Sequence, residues 1–393
     1  MTYRSGRHFL QLPGPTNTPD RVLRAMSKPT IDHRGPEFKA LTHRLIDGVR
    51  WVFNTEHPVF IHPASGSGAW EAALVNTMSA GDRVLAFEQG FFSRGWAKVA
   101  KRFGLDVRLA PCDARRGVSP EVVVDELRGD TREPRIKAVL IVHNETSTGV
   151  TTDIQAIANA MRSSGHPAML FVDAVSSLAV TDVRHDEWGL DLTVSGSQKG
   201  LMLPPGLAVL AASPSAMRAH EGATLPRSYW DWTDQLEFNA KGVFPYTPAT
   251  NLLYGLEEAL AMLREEGLDR TFARHDLFAR ATLRAVEAWG LEAFALDTDE
   301  SSRAATAVIV PDGHDADALR REILDRFDMS LGTGLGDNKG RVFRIGHLGD
   351  LNALSLMGTL AGVEMGLRVA GIPHAPGGLD AAMDVLTRTG SDA

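Results

Sequence analysis

Between residues 58 and 212, short apolar runs alternate with amphipathic stretches. The runs fall at 59–61, 84–87, 107–109, 138–142, 169–172, 192–194 and 207–210. Each is too short for a helix that buries one face, and most lack the polar alternation of a half-exposed strand. The stretches between them, such as 96–103, 120–127 and 153–161, space their apolar residues as helices do. Strands buried on both faces that alternate with helices predict a mostly parallel α/β sheet. The pattern then changes. One long helix is predicted over 250–266 and another over 268–289. A strand (305–310), a helix (316–327), a strand (341–345) and a helix (351–369) follow. This reads as a smaller α+β domain hinged on the long helices. The expected divisions are an N-terminal extended segment (1–20), a large domain (21–270) and a small C-terminal domain (271–393). Pro13-Gly14-Pro15 is a rigid turn that blocks helix. After Pro373, the Pro376-Gly377-Gly378 turn predicts a surface segment with a short last helix.

Composition narrows the class. Of 393 residues, 44% are hydrophobic, which fits a packed protein rather than a disordered one. The net charge of −8 argues against a nucleic-acid or anionic-membrane surface. Cys112 is the only cysteine, so no disulfide framework or cysteine-based zinc site is expected. Thirteen histidines are scattered with no paired metal-ligand spacing, so no metal is expected. No apolar run approaches the roughly 18 residues of a membrane span. The first seven residues carry no apolar signal core, and Gly390-Ser391-Asp392-Ala393 is no import tripeptide. A reduced, cytoplasmic protein is expected.

Four stretches carry candidate chemistry. Ala64-Ser65-Gly66-Ser67-Gly68 follows a strand and opens a helix. Small residues there let backbone N–H groups approach an anion, and two hydroxyls add donors; a plain capped turn is the alternative. A dinucleotide fingerprint fits poorly, because Glu71 stands where a small residue should allow close helix packing. Asp173 ends an apolar strand, where a carboxylate needs a partner or caps the next turn. Lys199 ends Ser195-Gly196-Ser197-Gln198-Lys199 after another strand. Most lysines are solvated, but one in a partly desolvated pocket has a lowered pKa and becomes an amine nucleophile. Arg344, in Val342-Phe343-Arg344-Ile345-Gly346, sits between apolar neighbours. A guanidinium there wants a bidentate carboxylate, from a ligand or from a structural ion pair. An anion turn, an acid on a strand end and a lysine on a strand end are the parts pyridoxal phosphate requires.

The ordered motifs resemble the class V, fold type I pyridoxal phosphate aminotransferases, within them the serine–glyoxylate and alanine–glyoxylate group. The resemblance runs through Leu12-Pro13-Gly14-Pro15-Thr16-Asn17, Thr30-Ile31-Asp32-His33-Arg34, Val172-Asp173-Ala174-Val175-Ser176-Ser177 and Ser195-Gly196-Ser197-Gln198-Lys199. It continues in His143-Asn144-Glu145-Thr146-Ser147-Thr148-Gly149-Val150, Asp186-Glu187-Trp188-Gly189, Pro245-Tyr246-Thr247-Pro248 and Phe343-Arg344-Ile345-Gly346-His347-Leu348-Gly349. It implies a large domain with a mostly parallel seven-stranded sheet and a smaller C-terminal α+β domain. By that resemblance Lys199 forms the internal aldimine and shuttles the proton, and Asp173 pairs with the ring nitrogen. Ser65, Gly66, Ser67 and Gln198 hold the phosphate, with Thr247 from a partner subunit. Phe92 stacks on the ring, and Thr146 bonds the phenolic oxygen. Phe244 stands where some relatives carry a phosphate-binding tyrosine. Arg344 clamps the substrate carboxylate, the backbone at Gly14 closes over it, and His33 and Arg34 enter the neighbouring subunit's site. The implied reaction is ping-pong transamination in a homodimer, with glyoxylate as acceptor and L-serine as donor. Aspartate or alanine as donor is the alternative; desulfuration, hydrolysis and a pyridoxal phosphate-binding regulator are more distant ones. Desulfuration needs a nucleophilic cysteine, and Cys112 has no activating neighbour in sequence. Trp230-Asp231-Trp232 reads as an aromatic surface loop, at the site entrance or at a dimer interface.

Overall fold

A computed structural model describes residues 5–388; the readings made at the two chain ends lie outside the described residues. In chain order the strands are β1 (Phe9–Gln11), β2 (Val59–His62), β3 (Arg83–Phe87), β4 (Asp106–Ala110), β5 (Ile136–Val142), β6 (Asn144–Glu145), β7 (Val150–Thr151), β8 (Met169–Asp173), β9 (Leu192–Gly196), β10 (Ala208–Ala212), β11 (Glu292–Ala293), β12 (Ala305–Ile309), β13 (Met329–Thr333) and β14 (Val342–Gly346). The first helices are α1 (Asp20–Met26), α2 (Pro36–Phe53), α3 (Gly66–Thr77) and α4 (Phe91–Arg102).

All seven apolar runs become strands of one seven-stranded sheet, ordered β2-β10-β9-β8-β5-β3-β4. Pairs β3–β4, β3–β5, β5–β8 and β8–β9 are parallel, and β10 alone runs against its neighbours. Alternation along each strand feeds two cores. Val59 and Ile61 of β2, with Val209 and Ala211 of β10, face α2 and the helix Thr250–Glu266. Phe60, Ala208 and Leu210 point the other way, under Ala69 and Ala73 of α3 and Trp96 of α4. Each face buries apolar area worth about 25 cal/mol per Å², which explains why neither face of the runs at 59–61 and 207–210 is polar; the edge strand β4 differs, with Asp106 and Arg108 exposed on one face.

A second sheet is ordered β1-β13-β14-β12-β11. Its β14 pairs antiparallel with β12 and β13, and Phe343 and Ile345 pack on Leu356, Leu360 and Val363. The N-terminal strand β1 joins this sheet, parallel to β13. The chain therefore leaves the second sheet at Gln11 and passes straight to Thr16, whose amide bonds to the Gln198 carbonyl at 3.1 Å. That crossing sets Pro13-Gly14-Pro15 over the carboxyl ends of the large sheet. Among the described residues, no helix is long and apolar enough to cross a membrane.

Candidate active site

In a parallel sheet, loops beyond the carboxyl ends of adjacent strands meet in one crevice. Here β5 ends at Val142, β8 at Asp173 and β9 just before Gln198 and Lys199, with Val142 in register with Asp173 and Asp173 with Val194. A cavity of about 300 Å³ opens there, lined by Gly14, Ser65, Gly66, Ser67, Trp70, Phe92, Thr146, Asp173, Gln198 and Lys199.

Asp173 is 3% exposed. Its Oδ2 accepts from the Trp70 indole N–H at 2.8 Å, and its Oδ1 accepts from the Val175 amide at 2.7 Å. Burial pushes the carboxyl up to about 7, against the pull of those two bonds. Lys199 is 8% exposed and donates from Nζ to the Pro13 carbonyl. Burial, helped by the nearby Arg344 charge, lowers its amine to about 8, while Asp173 and Glu145 hold it up. Gly14, at φ +100°, admits this approach: a Cβ there would stand 2.6 Å from Nζ.

The start of α3 also lines the cavity. Ser65 occupies the cap position, yet its side chain makes no capping bond, and Ser65 and Ser67 are exposed. First-turn amides and two free hydroxyls thus face the same space, an arrangement that favours an anion. Beside them, Gln198 Oε1 is buried with no hydrogen-bond partner.

Arg344 is 7% exposed in β14. It donates from Nε to the Thr333 carbonyl and from Nη1 to the Thr146 carbonyl, each at 2.9 Å. Its carbonyl partners replace the structural ion pair that was one alternative, and burial lowers its pKa to about 10. Thr146 lies on the cavity wall and Arg344 directly behind it.

The structure does not bring every expected residue to this cavity. His33 is half-buried with Nε2 unpartnered, Arg34 is exposed, and Thr247 is exposed; none lines the cavity of its own chain. Phe244 packs edge-on to Phe38 in the core. Trp232 is not part of a surface loop: it is fully buried and stacks on Phe60 at 4.6 Å, because Asp231 caps the helix Trp232–Ala240 and turns the ring inward. Trp230 is half-buried and donates to Glu71 at 2.9 Å. Cys112 lies off the cavity, and burial, together with Glu88 and Asp113, pushes its thiol up to about 12.

Two residues of the site escaped sequence reasoning. Trp70 reads as an ordinary apolar helix position until the fold sets its N–H on Asp173. Glu145 lies inside a quoted motif, and the signal available was an acid flanked by a buried strand. It is fully buried and accepts four hydrogen bonds.

These residues fit pyridoxal phosphate. The uncapped first turn of α3 and the orphaned Gln198 amide suit a phosphate, Asp173 suits a ring nitrogen, and the buried amine of Lys199 suits an aldehyde. Comparison with known proteins agrees. The Aminotransferase class-V family profile matches residues 8–335. The serine–glyoxylate aminotransferase of Methylorubrum extorquens is 48% identical over 392 residues, covering 98% of this chain and 97% of its own. The L-aspartate–glyoxylate aminotransferase of Paracoccus denitrificans is 43% identical, covering 96% of each chain. The solved ureidoglycine–glyoxylate aminotransferase of Bacillus subtilis superposes with a TM-score of 0.91 at 27% identity, covering 99% of this chain and 100% of its own. Profile, full-length relatives and fold converge, and this protein belongs to the class V aminotransferases, which work with pyridoxal phosphate.

Proposed function

We propose that this transaminase moves the amino group of L-serine to glyoxylate, giving hydroxypyruvate and glycine in two half-reactions at one site. The observation that carries the reading is Arg344, a buried guanidinium whose hydrogen bonds go to backbone carbonyls and leave Nη2 over. A fork held in that way is ready for a carboxylate, the one group that serine and glyoxylate share. Full-length similarity to a serine–glyoxylate aminotransferase supports the donor.

Pyridoxal phosphate, when bound, supplies an aldehyde for the amino group and a ring that draws electrons from the substrate Cα. The chain's residues do the rest. Ser65, Gly66, Ser67 and Gln198 hold the phosphate at the start of α3. Asp173, steadied by Trp70 and Val175, offers its carboxylate to the ring nitrogen. Phe92 packs on the ring, and Thr146 bonds the phenolic oxygen. Lys199 Nζ, part deprotonated near neutral pH because it is buried, takes the Cα proton and returns it. Arg344 binds the carboxylate in both half-reactions, and the Gly14 backbone closes over it.

A homodimer belongs to the reading. His33, Arg34 and Thr247 stand off their own chain's cavity and reach that of a second copy, where Thr247 adds to the phosphate site. The large cofactor-binding domain is residues 21–270 and the small domain 271–393, and the protein works in the cytoplasm. Aspartate is the second donor to weigh, because a 43% identical relative uses it by name and Arg34 is an exposed second cation. A donor panel with glyoxylate held fixed, read by glycine formation, decides. Serine should exceed aspartate and alanine in kcat/KM by roughly tenfold or more. Aspartate turning over faster than serine overturns the donor assignment.

A further inference from the structure

Glu145 is a 0% exposed carboxylate at the end of β6. Amides and a hydroxyl satisfy it, not a cation. Its Oε2 accepts from the Phe92 and Ser93 amides, each at 3.0 Å. Its Oε1 accepts from the Ser147 amide at 3.1 Å and the Ser147 hydroxyl at 2.6 Å. The same Ser147 oxygen accepts from the Phe91 amide at 3.0 Å. The first three amides of α4 therefore end on one carboxylate, two directly and one through Ser147.

A helix normally takes its cap from the residue just before it. Here that residue is Gly90, which has no side chain to offer, and the cap comes from more than fifty positions along the chain (a separation of 53 for Phe92). Glycine is what the site admits: a Cβ at position 90 would stand 2.6 Å from Glu145 Cδ. A carboxylate at a helix N-terminus is favourable on its own account, since the helix dipole and the free amides both attract it. What makes this cap a matter of function is its second residue. Phe92 is held by its own amide and lies on the wall of the cavity that also contains Asp173 and Lys199.

We propose that Glu145 is the positioning residue for Phe92: by clamping the first turn of α4, it fixes the ring face that Phe92 offers to the cofactor. The proposal rests on the reading of Phe92 as the ring-packing residue. It gives the acid in the His143-Asn144-Glu145-Thr146 stretch a role separate from that of its neighbour Thr146.

The test is a double-variant cycle on the full chain, stripped of cofactor and titrated with pyridoxal phosphate. The readouts are the cofactor Kd, by quenching of intrinsic fluorescence, and the visible circular dichroism of the bound cofactor. E145A and F92L should each weaken binding by about tenfold and flatten the visible band, the loss expected for one misplaced contact of this kind. The double variant should be little worse than either alone, because both changes remove the same contact. E145Q, which keeps an acceptor for the α4 amides, should recover part of the band. S147A, which removes the hydroxyl that links the Phe91 amide to Glu145 Oε1 but leaves the Phe92 and Ser93 amides on Oε2, should shift both readouts the same way by less, and it carries the test if E145A does not fold. Losses that multiply in the double variant, or wild-type Kd and band in both E145A and S147A, overturn the proposal while the Phe92 assignment stands. A wild-type Kd and band in F92L overturn the Phe92 assignment, and the proposal falls with it.

Discussion

Replacing Arg344 with lysine keeps a positive charge and removes the fork. The arginine is anchored at two points, Thr333 O and Thr146 O, each 2.9 Å away. A lysine ammonium is a point charge that cannot hold both carbonyls and also grip a carboxylate side by side. Two charge-assisted hydrogen bonds at about 1.5 kcal/mol each make about 3 kcal/mol, or roughly a hundredfold in kcat/KM. R344K, which can retain one of the two, should lose about ten- to a hundredfold, and R344M about a hundredfold or more. Both half-reactions use the clamp, so single-turnover rates with serine and with glyoxylate should fall in parallel. R344M also removes a cation that lowers the Lys199 pKa, so the acid limb of its pH profile, where a protonated amine cannot take the Cα proton, should move up, whereas that of R344K should not. Freed carbonyls at Thr146 and Thr333 cost stability, so melting temperatures are recorded beside the rates. Wild-type rates in either half-reaction of R344K would refute the clamp.

Three further outcomes follow from the same geometry. W70F removes the 2.8 Å bond to Asp173 and should weaken pyridoxal phosphate binding by about tenfold, measured by cofactor titration; unchanged affinity would mean that Val175 alone holds the carboxylate. Lys199 titrates near 8 in the fold against 10.5 for a free amine, so between these values the unfolded chain binds the extra proton and folding stability rises with pH. K199M should therefore raise the melting temperature of the cofactor-free protein near neutral pH, with an advantage that narrows as pH climbs from 8 to 10.5; an advantage that stays constant across that window contradicts the buried-amine account. C112S should leave glycine formation within about twofold of wild type, since a thiol held near 12 offers almost no thiolate; a dead variant would revive a cysteine-based reaction.

Much of the fold was legible because both-face burial leaves a plain mark. The run at 138–142 becomes β5 and the run at 169–172 becomes β8, whose last residue is the site acid. The helix expected over 250–266 matches Thr250–Glu266. Elements whose stability is tertiary were harder to see. The helix expected over 96–103 begins earlier, at Phe91: its cap residue is Gly90, its first amides end on the distant Glu145, and the local signal is a single hydroxyl, Ser93, which accepts from the Gly90 amide. Strand β1 has three residues and exists only because β13 offers it an edge. In the site, strand-end residues such as Asp173 and Lys199 were readable from an acid or amine set against apolar runs. Trp70 was not, because an indole on a helix face looks like core until its N–H finds a partner. Trp232 was misread for the matching reason: Trp230-Asp231-Trp232 reads as an aromatic surface loop until Asp231 proves to be the cap of a helix whose first residue is buried.

The central claim is that the amine at position 199 is the one that meets the cofactor aldehyde. Borohydride reduction of the holoenzyme, followed by peptide mass mapping, reads this directly. The account predicts the phosphopyridoxyl mass on the peptide that contains Lys199, and none in K199A. The label on a different lysine of the wild-type protein, or an unlabelled Lys199 peptide, would contradict it.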